Sequence, residues 1–590
     1  MQALLTPVRE LADYDAIRER LRKAKGPVAL TGCVQSQKLH MIYGLSDGYH
    51  VKVIVTYSDL KAKEIYEEYK FYDKAVTVFP AKDLIFFQAD IHGNQLVRER
   101  LRTLRRLMQG DALTIVTTYA ALMAPQAMLD LERDAIAIGQ GSILEEKALT
   151  RRLVDMGYER AYQVETPGQF SVRGGIIDIF DLTEENPYRI ELWGDEVDSI
   201  RSFDVLSQRS VEMLGGVTIF PATEFVLSEE RIQKGLAKLE KEAAAQEKKL
   251  RDAFQTEEAH RVKTLAKEFT DKLELRGAVN LESYLNYFYE DTVTLPEMIE
   301  RYAKDQAVYF LEEPMRIKEQ ADAISLEFRE SMSQRLEKGY VLPSQLKLLY
   351  SGEEVAARLP MGRIVTLSAM DNHGAYFAPK LRSDVNARST APYNGSFETL
   401  VKDLQTYKKK GYRVLLLSGS RTRAQRLAQD LWDQELTAVY SENPEREVQP
   451  GEVLTAYGHV EHGFEYPLLK FVVLAETDIF GAEKKKKRRK KLYQGQKIGG
   501  FDDLKVGDYV VHESYGLGIY QGIEKISSDG ISKDYVKIEY ADGGHLYIPA
   551  TGLHVIQKYA SAEGAKVPKL NKLGGKEWGK TKEKVRGAVQ

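Results

Sequence analysis

Thr31-Gly32-Cys33-Val34-Gln35-Ser36-Gln37-Lys38-Leu39 is a stretch whose residue types and spacing approach a phosphate cradle. It follows the apolar run Val28-Ala29-Leu30 and precedes a helical pattern over Lys38–Tyr43. A nucleotide loop at such a strand-to-helix turn needs glycines so that backbone N–H groups wrap the phosphates. It also needs a Lys for the β and γ oxygens and a Ser or Thr hydroxyl for Mg²⁺. Gly32 and Lys38 fit. Gln37 replaces the second glycine and resists a turn with positive φ, and Leu39 replaces the hydroxyl and cannot ligate Mg²⁺. The expectation is a degenerate nucleotide loop, not functional in hydrolysis, kept as scaffold.

Other candidate chemistry is thinner. Leu474-Ala475-Glu476-Thr477-Asp478 would suit an acidic strand end holding Mg²⁺, but no competent loop precedes it, so an ordinary strand terminus is expected. Gly516-Leu517-Gly518 with Gly522 matches a dinucleotide fingerprint only superficially, because a strand follows and pyrophosphate would find no helix N-terminus. Ten histidines and the single Cys33 show neither HExxH nor CxxC spacing, which argues against zinc. No Ser/His/Asp set can be picked out, so neither a catalytic residue nor a metal ligand is expected.

Two strand patterns and a charge run offer surfaces instead. In Tyr188-Arg189-Ile190-Glu191-Leu192-Trp193, alternation puts Tyr188, Ile190 and Leu192 on one face and Arg189, Glu191 and Trp193 on the other. Arg and Trp outward together suit a binding hot spot; a Trp covered by another domain is the alternative. In Ile519–Ile526, Ile519 and Ile523 are expected to share one face and Tyr520, Glu524 and Ile526 the other. Ile526 then marks either an edge that accepts a partner strand or a cap on the local core. The basic run at 484–491 suits either phosphate contact or a solvated, extended linker.

These residues need elements to place them. At roughly 150 residues per domain, 590 residues make about four domains. With 33 Tyr and 20 Phe, wholesale disorder is excluded. No apolar run approaches the ~18 residues of a membrane span. Met1-Gln2-Ala3-Leu4 opens no secretory signal, and one cysteine forms no internal disulfide, so a reducing, cytoplasmic setting is expected. A net charge of -3 gives no general pull toward nucleic acid.

Strand and helix alternate over 26–125: Val28–Leu30, His50–Tyr57, a charged helix Ser58–Tyr72, then Thr114–Thr118 ahead of Tyr119–Met123. This predicts a parallel sheet with covered faces. Gln169–Val172, Ile176–Phe180 and Tyr188–Trp193 predict a small antiparallel insert. Residues 229–275 predict long amphipathic helices with Leu236, Leu239, Ala243, Leu250 and Phe254 on one stripe. Arg413–Leu417, Arg421–Trp432 and Phe471–Ala475 predict a second α/β unit. Five short strands between Val506 and Tyr559 suggest an SH3-like β-barrel. Glu577–Val589 begins a helix and then the chain stops, which suggests part of something longer.

Gly168-Gln169-Phe170-Ser171-Val172-Arg173-Gly174-Gly175-Ile176-Ile177-Asp178-Ile179-Phe180, followed by Arg189–Val197, resembles the damage-recognition helicase UvrB and also the bacterial transcription-repair coupling factor, Mfd. The degraded nucleotide loop favours the second. So do Gly507-Asp508-Tyr509-Val510-Val511-His512, Gly516-Leu517-Gly518 and Leu546-Tyr547-Ile548-Pro549, which look like that family's RNA polymerase-interacting domain. Lys572–Trp578 resembles the segment after it. The resemblance implies a UvrB-like domain at 1–125 and 221–345, an inserted UvrA-binding domain at 126–220, and a small α/β domain of unknown role at 346–480. A basic linker at 481–497, a polymerase-binding barrel at 498–560 and a helix toward a motor from 561 complete it. Full-length members bind RNA polymerase stalled at a lesion, push it forward by ATP-driven translocation on DNA, and recruit UvrA to nucleotide excision repair. By resemblance, Arg173, Arg189 and Trp193 contact UvrA, the arginines through acidic groups, and Ile526 contacts the polymerase β subunit; the family can have Phe in place of Trp193. The expectation is an adaptor without ATPase activity or cofactor of its own. ATP and magnesium belong to the absent motor, and DNA to that motor or the basic run. A UvrB-like DNA-dependent ATPase is the rival.

Overall fold

The computed structural model describes residues 2–82, 94–128, 131–274, 281–303, 305–371, 375–481, 495–497, 506–512, 516–528, 531–541, 544–549, 556–559 and 570. It divides into two compact units, Met1–Ala482 and Glu483–Gln590.

In the first unit, β1 (Val28–Thr31), β2 (Val51–Thr56), β3 (Val76–Phe79) and β4 (Leu113–Thr118) are almost wholly buried, as strands covered on both faces must be. Helices α1 (Gln2–Arg9), α2 (Tyr14–Arg22), α3 (Gln35–Leu45) and α4 (Asp59–Tyr69) cover one face. Ser58 starts α4 by accepting the Lys61 N–H at 3.3 Å.

The chain then forms the antiparallel insert. Helix α5 (Glu146–Asp155) precedes β5 (Gln169–Arg173), β6 (Ile176–Ile179), β7 (Tyr188–Trp193), β8 (Glu196–Phe203) and β9 (Ser210–Leu214), in sequential order, with the short strand Glu159–Arg160 beside β5. Phe170, Ile177, Ile179, Ile190 and Ile200 meet Leu149 and Leu153 of α5, and Met156 just after it, on one side of this sheet. Two long helices follow, α6 (Glu229–Asp252) and α7 (Thr256–Glu274). Leu236, Leu239, Ala243 and Leu250 are buried as their spacing predicts. Phe254 departs from the stripe: it sits in the turn between the helices at φ +61° and is 93% exposed.

β10 (Ala307–Glu312), β11 (Ile364–Leu367) and β12 (Leu381–Asp384) return to the first sheet, which has the order β12-β1-β11-β10-β2-β4-β3, parallel throughout. The expected boundary at 345/346 therefore falls between two strands of a single sheet. Local periodicity cannot show that β10 and β11 slot between β2 and β1. The second sheet starts at Arg388–Ser389 and adds β13 (Arg413–Ser418), β14 (Val439–Tyr440), β15 (Val453–Tyr457), β16 (Phe464–Tyr466) and β17 (Phe471–Ala475). Along β13 the faces alternate. Val414 and Leu416 pack with Leu427 and Leu431 of helix α8 (Arg421–Trp432), while Leu415 and Leu417 join the core that holds Leu39, Met41 and Ile42 of α3. Helix α3 thus lies between two sheets, with every residue from Ser36 to Ile42 buried. No helix among the described residues is long and apolar enough to cross a membrane.

In the second unit, β18 (Tyr509–His512), β19 (Gly516–Ser528), β20 (Ile531–Glu539), β21 (His545–Pro549) and β22 (Ile556–Tyr559) form an antiparallel sheet in the order β22-β18-β19-β20-β21, with Gly495–Lys497 beside β22. Val510, Tyr520, Val536, Ile538 and Ile556 make its core. The expected faces of β19 need correction. Tyr520 lies opposite Ile538 but Gly522 lies opposite Lys537, so Gln521 is an extra residue in a bulge, beside Gly522 at φ +110°. One inserted residue reverses the alternation beyond it. Ile523, opposite Val536, therefore shares the Tyr520 face, not that of Ile519. The basic run at 484–491 and the segment Glu577–Val589 lie outside the described residues.

Candidate functional site

The loop between β1 and α3 is built as a junction. Gly32 has φ +68°, and a Cβ there would meet Asp384 Oδ1 at 2.3 Å, so only glycine fits. Gln37 Oε1 accepts the Val34 N–H at 3.1 Å, and its Nε2 donates to the Tyr466 hydroxyl at 3.0 Å. Lys38 Nζ lies 2.9 Å from Glu312 Oε1 and 2.5 Å from Glu313 Oε1. Thr56 donates to the other Glu312 oxygen at 2.8 Å. Burial alone would lower the Lys38 pKa, but the Glu312 and Glu313 carboxylates hold it above its ordinary value. Leu39 is buried in the core shared with the second sheet. That lobe also reaches the start of α3: the His462 N–H donates to Ser36 Oγ at 3.0 Å, and the Glu461 N–H to Glu68 at 3.1 Å. Ser36, Gln37 and Lys38, the side chains nearest to where a phosphate would sit, are each engaged within the chain.

The acidic strand end after β17 is likewise internal. Glu476 accepts the Gly419 N–H at 2.6 Å, the Ser418 hydroxyl at 3.0 Å and Arg423 at 2.7 Å. These bonds hold its pKa low although burial would raise it. Asp478 accepts the backbone N–H groups of Gly463 at 2.7 Å and Ala475 at 3.1 Å.

The outer face of the insert is different in kind. Cross-strand register sets Ser171, Asp178, Arg189, Arg201 and Met213 in one row across β5 to β9. Asp178, 1% exposed, accepts Arg189 Nε at 2.6 Å and Nη2 at 2.9 Å, and Arg173 Nη2 at 2.7 Å. The Arg189 guanidinium also lies 4.2 Å over the Phe203 ring and donates to Gln208 at 2.9 Å. Arg189 therefore lies down on the sheet and does not stand free, its side chain 13% exposed against 36% for Arg173. Arg201 pairs with Glu191 at 2.5 Å, and this bond with that from Ser199 lowers the Glu191 pKa. Trp193, at the end of β7, is 84% exposed, with Met213 at 65% also exposed. Arg173, Arg189 and Trp193 are thus on one sheet face, as alternation requires. Asp178 was missed; its one signal is a carboxylate between Ile177 and Ile179 within a strand.

In the second unit, Ile526 lies opposite Lys533. The β18 pairing ends at Ile519, so among the described residues Gln521–Ser528 pairs only with β20. Nearby, Lys537 and Glu524 form an ion pair at 2.8 Å.

Comparison with known proteins agrees with this layout. Residues 136–225 match the model of the UvrB interaction domain, and residues 504–560 that of the CarD-like/TRCF RID domain. The chain is 33% identical over 595 residues to a transcription-repair-coupling factor of Bacillus subtilis, a match covering 100% of this chain and 50% of the relative. It is 31% identical over 529 residues to that of Staphylococcus epidermidis, covering 88% and 43%. The chain spans about half the length of the curated relatives it matches. Over its whole length, the chain is a homologue of the N-terminal part of transcription-repair-coupling factors.

Proposed function

We propose that this chain is the adaptor part of a transcription-repair-coupling factor, binding UvrA through the outer face of the insert and the RNA polymerase β subunit through β19. The observation that carries the reading is the insert face itself. Two arginines held on one buried carboxylate share a sheet face with an 84% exposed Trp193, within the stretch that matches a UvrB interaction domain. Arg and aromatic side chains of this kind dominate binding energy at interfaces. In this reading Arg173, Arg189 and Trp193 contact UvrA, and Ile526 lies where a strand of the β subunit adds to the SH3-like barrel.

The loop at Gly32, Gln37, Lys38 and Leu39 turns over no nucleotide, since Lys38 is neutralised by Glu312 and Glu313 and α3 is sealed by the second lobe. ATP, magnesium and DNA translocation belong to the full-length family's motor. The test is UvrA binding by the chain carrying Arg189→Ala and Trp193→Ala. A folded double variant that binds like the parent overturns the UvrA assignment.

A further inference from the structure

Asp178 sits on β6 between Ile177 and Ile179, whose side chains enter the insert core. Its carboxylate therefore belongs to the opposite face, yet it is 1% exposed. What shields it is guanidinium. Arg189 grips it side-on through Nε and Nη2, and Arg173 Nη2 reaches the same Oδ2 that Arg189 Nη2 uses. The flat face of Arg189 rests on Phe203. Three constraints thus fix this guanidinium: the carboxylate fork, the Gln208 side-chain oxygen Oε1 and the ring.

The charge count is uneven. Two cations share one anion, while the neighbouring Arg201–Glu191 pair is balanced. Arg189 Nη1, and Arg173 Nε and Nη1, have no acceptor among the described residues. A charge-assisted bond to a carboxylate is the strongest contact such N–H groups make. The arrangement is short of one acid, and Trp193 lies exposed on the same face.

We infer that Asp178 is a positioning residue for UvrA docking, holding Arg173 and Arg189 so that their unspent N–H groups together meet one carboxylate of the partner. This rests on the UvrA reading above. Asp178 touches no partner atom itself. It acts by fixing two long, otherwise mobile side chains before binding, which removes ordering entropy from the association, and by keeping two like charges side by side.

The experiment is UvrA binding by the full chain, measured by calorimetry, for the parent, Asp178→Asn, Arg189→Ala and the double variant, with circular dichroism to confirm folding. Asparagine keeps one acceptor but turns an amide N–H toward the arginines. Asp178→Asn is expected to weaken binding by about tenfold or more, and the double variant to lose less than the sum of the two single losses, because Asp178 and Arg189 act as a unit. Binding by Asp178→Asn equal to the parent's, or losses that simply add, overturns the role of Asp178 and leaves the UvrA reading standing. A parent chain that does not bind UvrA overturns both. Should Asp178→Asn not fold, Arg189→Lys serves. Its ammonium keeps the charge but cannot grip Asp178 in a fork and present an outward edge, so full binding by that variant overturns the inference.

Discussion

Gln37 donates its side-chain amide to the hydroxyl of Tyr466 across 3.0 Å, and that hydroxyl lies 2.8 Å from His40 Nδ1. The residue that stands where a phosphate loop would have its second glycine is thus a residue that joins two lobes. A glycine at position 37 would lose this bond and the one from Val34, and a Ser or Thr at 39 would place a hydroxyl in an apolar core. The two side chains that differ from a phosphate-loop pattern, Gln37 and Leu39, are thus both part of the junction.

His40 gives that junction a pH dependence. Its Nε2 lies 2.7 Å from the Leu4 carbonyl, which can only accept, so Nε2 carries the proton and Nδ1 accepts from Tyr466. Burial lowers the pKa from 6.5 to about 4. The unfolded chain takes up this proton below 6.5 while the folded chain refuses it until about 4. Stability therefore falls as pH drops through that window and is flat in this respect above it. The loss amounts to roughly 3 kcal/mol. Urea unfolding at several pH values should show it, and His40→Gln should flatten the slope there. An unchanged slope in that variant would remove His40 as the cause.

Lys38 should matter for stability and not for turnover. Its side chain is 9% exposed and that of Glu312 6%, so removing the cation strands buried carboxylates. Lys38→Ala is expected to destabilise by about 3 kcal/mol. MgATP should leave the unfolding midpoint of the parent where it was, since a ligand stabilises only the state it binds. A midpoint raised by MgATP in the parent but not in Lys38→Ala, with DNA-dependent hydrolysis, would establish the rival ATPase.

Much of this was legible in the sequence where a local period carried it. Tyr188–Trp193 and Arg421–Trp432 occur with the bounds that alternation and helical spacing give. What escaped depends on partners far along the chain. Asp178 gains meaning from Arg173 and Arg189 on flanking strands. The four residues of β11 are too few to announce a place between β1 and β10. A single inserted residue, Gln521, reversed the faces of β19, and Phe254 kept the helical period into a turn that the helix does not continue.

Trp193 separates binding from folding. Because its ring is 84% exposed, Trp193→Ala should change unfolding free energy by no more than about 0.5 kcal/mol. Loss of an aromatic anchor should still weaken UvrA binding by about tenfold or more. A large stability change would mean the ring is covered within the chain. Phenylalanine at the same position should retain most of the binding, because it offers an apolar aromatic face in the same place.

Ile526 tests the second surface independently. Beyond the bulge at Gln521, β19 is held by β20 on one side, and among the described residues no strand pairs with its other side. Such an edge presents a row of backbone donors and acceptors to an incoming strand. Ile526→Arg puts a charge beside that strand, and binding to the RNA polymerase β subunit should fall below detection in a pull-down while UvrA binding stays at the parent's level. The two surfaces belong to separate compact units, so the losses should not cross over. Undiminished β-subunit binding by Ile526→Arg would move the contact off this edge. Loss of both partners would instead show that the substitution unfolds more than the second unit, which the circular dichroism spectrum of the variant would reveal.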